Sequence, residues 1–140
     1  MLDSRVLTLG GEKPYNGLED DVQRACATYL KAIGHSFFWC HIPNEEKRSG
    51  RRTASQKGKG LIPGAPDLVI LMSKGGYHGL IVELKIWPKK PDPLQEIALN
   101  KCAKQDYLCA VVYSRPAFEK LITGYINGIY TKTETQKLPA

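Results

Sequence analysis

Nowhere in this chain does an apolar run approach the roughly 20 residues that a membrane-spanning helix needs, so none is expected. No apolar stretch follows Met1-Leu2-Asp3-Ser4-Arg5, which argues against a secretory signal at that position. Cysteine is sparse and scattered: Cys26, Cys40, Cys102 and Cys109 make no Cys-x-x-Cys pair. A zinc site is therefore not expected. The thiols sit in apolar settings and read as reduced core residues, as in a cytoplasmic protein that is not secreted. Internal repeats, zinc fingers and helix-turn-helix patterns are also missing, so no added module for reading base edges is visible.

What is there suits one α/β domain, residues 1–140, long enough to bury a core. Hydrophobic residues make up 42% and charged residues 24%, as in ordinary globular proteins. The 20 basic side chains outnumber the 14 acidic ones, for a net charge of +6. That balance favours a polyanionic partner without deciding the matter.

The chain is organised around Gly64 to Lys85. Gly64-Ala65-Pro66-Asp67-Leu68-Val69-Ile70-Leu71-Met72 and Leu80-Ile81-Val82-Glu83-Leu84-Lys85 are short, branched and apolar, as strands are. Ser73-Lys74-Gly75-Gly76 supplies the glycines of a tight connection. Antiparallel pairing brings the start of the first strand beside the end of the second, and so Asp67 beside Glu83 and Lys85. Alternation puts Glu83 and Lys85 on one face and Val82 and Leu84 on the other. Two carboxylates and an ammonium on an apolar sheet are costly to desolvate unless they are paired or hold a cation. Clustered carboxylates suit Mg²⁺, a hard ion that keeps several waters.

Pro66-Asp67 followed by Glu83-Leu84-Lys85 resembles the PD-(D/E)XK nuclease superfamily. The wider context, Gly64-Ala65-Pro66-Asp67-Leu68-Val69, Gly79 to Lys85 and then Gln95, resembles its VRR-Nuc branch, from about Gly17 to about Tyr125. The resemblance implies an αβββαβ core with a mixed sheet flanked by helices. It also implies a metal-dependent endonuclease leaving a 5′-phosphate and a 3′-hydroxyl. Asp67 and Glu83 would then hold Mg²⁺ or Mn²⁺ with the Leu84 backbone carbonyl, and Lys85 would position a water or stabilise the pentavalent phosphate. Gln95 would border the site as one of its catalytic residues, touching water or phosphate and not the metal. Glu19 resembles the first-helix glutamate of the superfamily. Stand-alone VRR-Nuc proteins resemble phage junction-cutting enzymes acting as homodimers, so the resemblance implies branched DNA as partner, no small-molecule cofactor, and the cytoplasm of a bacterial or phage-infected cell.

Along the chain, residues 1–15 are short on pattern and read as an arm. Leu18 to Ile33 reads as a helix with Leu18, Val22, Cys26, Tyr29, Leu30 and Ile33 on one side, Asn16 as its cap and Gly34 as its end. Glu19 has two readings here, a capping box with Asn16 or an acidic group facing the metal. Ser36 to Ile42 reads as a strand whose Phe37, Phe38 and Trp39 are core, with His41 a structural residue in the plainer reading and a group at the site rim in the other. Residues 43–62 carry Lys47, Arg48, Arg51, Arg52, Lys57 and Lys59. Such a loop is longer than a compact domain usually tolerates without a use, and it reads as a phosphate-tracking arm. The proline-broken Ile86 to Pro93 adds Lys89 and Lys90, with Trp87 either stacking on a base or capping the core.

Asp92 and Pro93 open a helix to Lys104, with Leu94, Ile97, Ala98, Lys101 and Cys102 as its buried stripe. Tyr107 to Tyr113 reads as a strand covered on both faces. Arg115 to about Ile129 reads as a core helix or dimer face, and residues 131–140 as a polar tail. Three functions fit this pattern. The first is an endonuclease acting on four-way junctions, or on flaps or linear duplex. The second is a non-catalytic DNA-binding module on the same fold. The third is a metal-binding structural protein with no nucleic-acid partner.

Overall fold

The computed structural model describes residues 1–11, 17–33, 36–43 and 58–132. Their order is β1 (Leu7–Leu9), α1 (Glu19–Ile33), β2 (Phe38–His41), β3 (Leu68–Leu71), β4 (Leu80–Leu84), α2 (Pro93–Lys104), β5 (Leu108–Val112) and α3 (Arg115–Ile126). The five strands form one mixed sheet in the order β1-β5-β4-β3-β2. The expected αβββαβ core is present. The segment read as an arm adds β1, which runs parallel to β5. Both faces of β5 are buried, so its outer edge needs a neighbour. Leu7-Thr8-Leu9 supplies one, too short for its own periodicity to announce it.

Alternate strand residues feed two cores. Leu68, Ile70, Leu80, Val82, Leu84, Ala110 and Val112 pack against Val22, Cys26 and Leu30 of α1 and Phe118, Leu121, Ile122 and Tyr125 of α3. The residues between them, Ile81, Cys109 and Val111, pack with Tyr113 against Leu99 and Ala103 of α2. A crossover through α2 joins the parallel pair β4 and β5, as parallel neighbours require.

Three expectations about packing are corrected. The buried stripe of α2 is Gln95, Leu99 and Ala103, while Leu94 and Ile97 are each 50% exposed. Phe38 is exposed, because it lies opposite Leu71 on the side of β2 away from Trp39. Leu18 precedes α1 and is exposed. The four cysteines are free thiols, two of them buried. Burial pushes Cys26 and Cys109 up to about 12. No helix among the described residues is long and apolar enough to cross a membrane.

Candidate active site

β3 and β4 pair antiparallel with Leu68 opposite Val82. One step further along that register Asp67 comes opposite Glu83. Both then share the face of Ile81, toward α2, and Lys85 follows Glu83 on the same side. All three are almost fully buried, Asp67 at 4%, Glu83 at 0% and Lys85 at 5% exposure. Leu84 donates its backbone N–H to Asp67 Oδ2 at 2.8 Å, which fixes the aspartate across the strand pair. Lys85 donates its own backbone N–H to the Val112 carbonyl at 3.0 Å, so the ladder continues past the end of β4 and holds the Lys85 backbone.

Gln95 joins this group from α2. Asp92 caps the helix and accepts from Gln95 N at 2.9 Å, while Gln95 Oε1 accepts from Asp92 N at 2.9 Å. That reciprocal box spends the amide oxygen on the cap and leaves the amide NH₂ for the sheet. Gln95 Nε2 donates to Glu83 Oε1 at 3.2 Å. The residue expected to border the site is therefore a buried clamp, tied at one end to a helix start and at the other to a carboxylate. The sequence Asp-Pro-Leu-Gln carries the box signature, and pairing Asp92 with Gln95 would have located it.

Gly64 makes the clamp possible. Its φ is +81°, and a Cβ there would lie 2.5 Å from the Leu94 carbonyl carbon and 2.8 Å from Gln95 N. The turn leading into Asp67 thus presses backbone to backbone on the first turn of α2, which only glycine permits.

Glu19 opens α1 in an acidic first turn with Asp20 and Asp21. Asp21 Oδ2 accepts from Leu18 N at 3.2 Å, tying the start of α1. Asn16 and Gly34 lie outside the described residues. Gln23, one helical turn after Glu19, has Nε2 2.7 Å from His41 Nε2. The other His41 ring nitrogen, Nδ1, lies 2.9 Å from the Asp67 carbonyl oxygen. That carbonyl only accepts, so the tautomer protonated on Nδ1 donates to it and leaves Nε2 to accept from Gln23. His41 lies opposite Leu68 and so faces α1. It touches the Asp67 backbone from the side opposite the Asp67 carboxylate. Among the described residues no three His, Cys, Asp or Glu side chains form a group that could hold a metal. The acids gathered are the pair Asp67 and Glu83.

Of the basic residues, Lys59, Lys89 and Lys90 are exposed, and Lys47, Arg48, Arg51, Arg52 and Lys57 lie outside the described residues. Trp87 is half-buried, edge-on to Tyr113 with ring centroids 5.3 Å apart, so it caps the α2-side core.

Solved structures share this fold. A "VRR_NUC domain protein" is 29% identical, with a TM-score of 0.63 over 82% of this chain and 91% of its own. A second, described as "VRR_NUC domain", is 28% identical, with a TM-score of 0.51 over 76% of this chain and 96% of its own. No curated protein matches the chain. The sequence profile of the VRR-NUC domain matches residues 20–116, more than half the chain, and spans Asp67, Glu83, Lys85 and Gln95. The chain belongs to the VRR-NUC family and carries its nuclease-type domain.

Proposed function

We propose that this protein is a metal-dependent DNA endonuclease that hydrolyses phosphodiester bonds at Asp67, Glu83 and Lys85. The supporting observation is the burial of two carboxylates at adjacent strand positions on one sheet face, each held in orientation by a donor, Leu84 N–H for Asp67 and Gln95 Nε2 for Glu83. Two buried acids side by side repel and are costly to desolvate. An oxygen-rich donor pair of this kind fits a hard divalent cation. Asp67 and Glu83, with the Leu84 carbonyl, would hold Mg²⁺ or Mn²⁺, and Glu19 would add a ligand through water. When bound, such an ion makes a water more acidic and offsets charge on the scissile phosphate. The chain's own residues do the rest. Gln95 keeps Glu83 from rotating away, Lys85 orients the attacking water or meets the developing phosphate charge, and Lys59, Lys89 and Lys90 draw the backbone in.

The substrate is branched DNA such as a four-way junction, cut by a homodimer whose two-fold symmetry supplies two sites. Cleavage leaves a 5′-phosphate and a 3′-hydroxyl. Lys85→Ala and Asp67→Ala are each expected to abolish cleavage and to leave the fold and most DNA binding intact; a variant that cuts like the parent removes that residue from the mechanism. A panel of four-way junction, flap and blunt duplex with Mg²⁺, Mn²⁺ or chelator tests the remainder. Equal rates on all three DNAs remove the branch preference. Cutting in chelator removes the metal, and no cutting under any condition leaves a DNA-binding module.

A further inference from the structure

A cavity of about 410 Å³ opens on the same sheet face, lined by Trp87, Tyr113, Val111, Thr8, Lys90 and Glu96 among others. Val111 is the register partner of Glu83, and Thr8 is the register partner of Val111. Glu83, Val111 and Thr8 therefore step across three neighbouring strands, about 4.8 Å apart each. The cavity begins one strand away from the acid pair. Trp87, two residues beyond Lys85, is held in place by Tyr113 and Gly11. Tyr113 meets it edge-on at 5.3 Å and an interplanar angle of 79°. A Cβ on Gly11 would lie 2.7 Å from its ring carbons and 3.2 Å from Tyr113 Cδ2, so Gly11 packs where the two rings meet.

The lining combines two aromatic rings, the apolar Leu2 and Pro91, a cation at Lys90, a hydroxyl at Thr8 and the Glu96 carboxylate, whose Oε1 meets the Met1 ammonium at 3.3 Å and whose other oxygen is left to accept from a ligand. An aliphatic ligand would leave the polar groups without use, and a bare anion would leave the rings without use. A nucleobase uses both: its π-face packs on the rings, its exocyclic amine or ring N–H donates to the carboxylate, and its phosphate meets the lysine. A paired base in duplex has its faces stacked and its edges occupied, so only a splayed nucleotide can enter.

We propose that this cavity is a subsite for an unpaired DNA base next to the scissile phosphate. The proposal rests on the nuclease reading above and, among branched DNAs, favours those that offer unpaired nucleotides, such as a flap, over a fully paired four-way junction. The test is equilibrium binding in chelator to two DNAs, a duplex with a five-nucleotide single-stranded flap and the same duplex blunt. Thr8→Phe fills the cavity from an exposed strand position that suits an aromatic residue. The ratio of flap to blunt affinity is expected to fall about tenfold, the range of one base–aromatic stack. An unchanged ratio overturns the proposal. On the unsubstituted protein, 2-aminopurine placed in the flap beside the junction is quenched on binding, and the same probe inside the stem is not; equal signals overturn it as well. A cleavage assay with Mg²⁺ separates the two readings. No cutting with a ratio that falls leaves the subsite and removes the nuclease, whereas cutting with an unchanged ratio does the reverse.

Discussion

The two faces of the sheet are written by alternate residues of the same strands, yet they have opposite chemistry. Toward α1 and α3, Leu68, Ile70, Leu80, Val82, Leu84, Ala110 and Val112 meet only apolar and aromatic partners in the buried cluster. Toward α2, the neighbouring positions include Asp67, Glu83 and Lys85, all buried, with Gln95 over them. The first face supplies hydrophobic stabilisation at roughly 25 cal/mol per Å². The second carries ionisable groups whose desolvation opposes folding. Stability and chemistry are thus housed on opposite sides of one layer, a single residue apart in sequence. The lesson is that a buried position at the end of a strand is not interchangeable with its neighbour, and that substitutions on the two faces should have separable effects.

The largest expected effect is on Glu83. Glu83→Gln keeps the shape and an acceptor for Gln95 but removes the charge. Cleavage is expected to be abolished, while thermal unfolding shows a protein equally stable or up to about 2 kcal/mol more stable, because a buried charge has gone. A large drop in melting temperature would mean that this face supports the fold after all, and the contrast would break. The counterpart is Leu121→Ala, on the opposite face and fully buried. It should cost about 2–5 kcal/mol and leave cleavage per folded molecule unchanged.

Next in size is Gln95→Met, which keeps bulk and removes both hydrogen bonds. A loss near 1 kcal/mol is expected from the cap, together with about tenfold more Mg²⁺ needed for half-maximal cleavage, the usual effect of removing a group that orients a ligand. Asp92→Ala loses a comparable cap but no donor to Glu83. If both variants shift the Mg²⁺ requirement equally, Gln95 works only through its helix.

How much of this was legible in the sequence follows the same physics. The β3–β4 hairpin, its acids, the Asp92-Pro93 helix start and the doubly buried β5 all rest on local patterns, and they stand where the residues put them. The stripe of α2 did not read correctly, because apolar periodicity selects Leu94 and Ile97 and passes over a glutamine buried for its hydrogen bonds. β1 was illegible for a different reason. Three residues carry no period, and their strand exists because β5 needs a neighbour. The contact of Gly64 with α2 depends on a turn that brings distant backbone together, which spacing alone does not give.

The smallest expected effect concerns pH and asks whether burial acts alike on the two faces. Cys26 lies on the α1–α3 side and Cys109 on the α2 side. Both are pushed up to about 12, and in both the largest cause is burial. Burial also pushes Tyr125, whose hydroxyl donates to the Met72 carbonyl at 2.5 Å, up to about 12. For a group whose folded pKa is raised, the unfolded chain releases its proton first, so the folded state loses stability as pH rises above the ordinary value. The melting temperature should therefore be flat up to about pH 9, the ordinary thiol value, and fall from there toward pH 12, with Tyr125 adding to the slope above about pH 10. Cys26→Ala and Cys109→Ala, each compared with its own melting temperature at pH 7, should flatten that slope equally, because desolvation is the same on both faces. A flatter slope for one face alone would show that the charges beside each thiol, Arg5 and Asp3 for Cys109 and Arg115 and Glu119 for Cys26, outweigh the shared effect of burial.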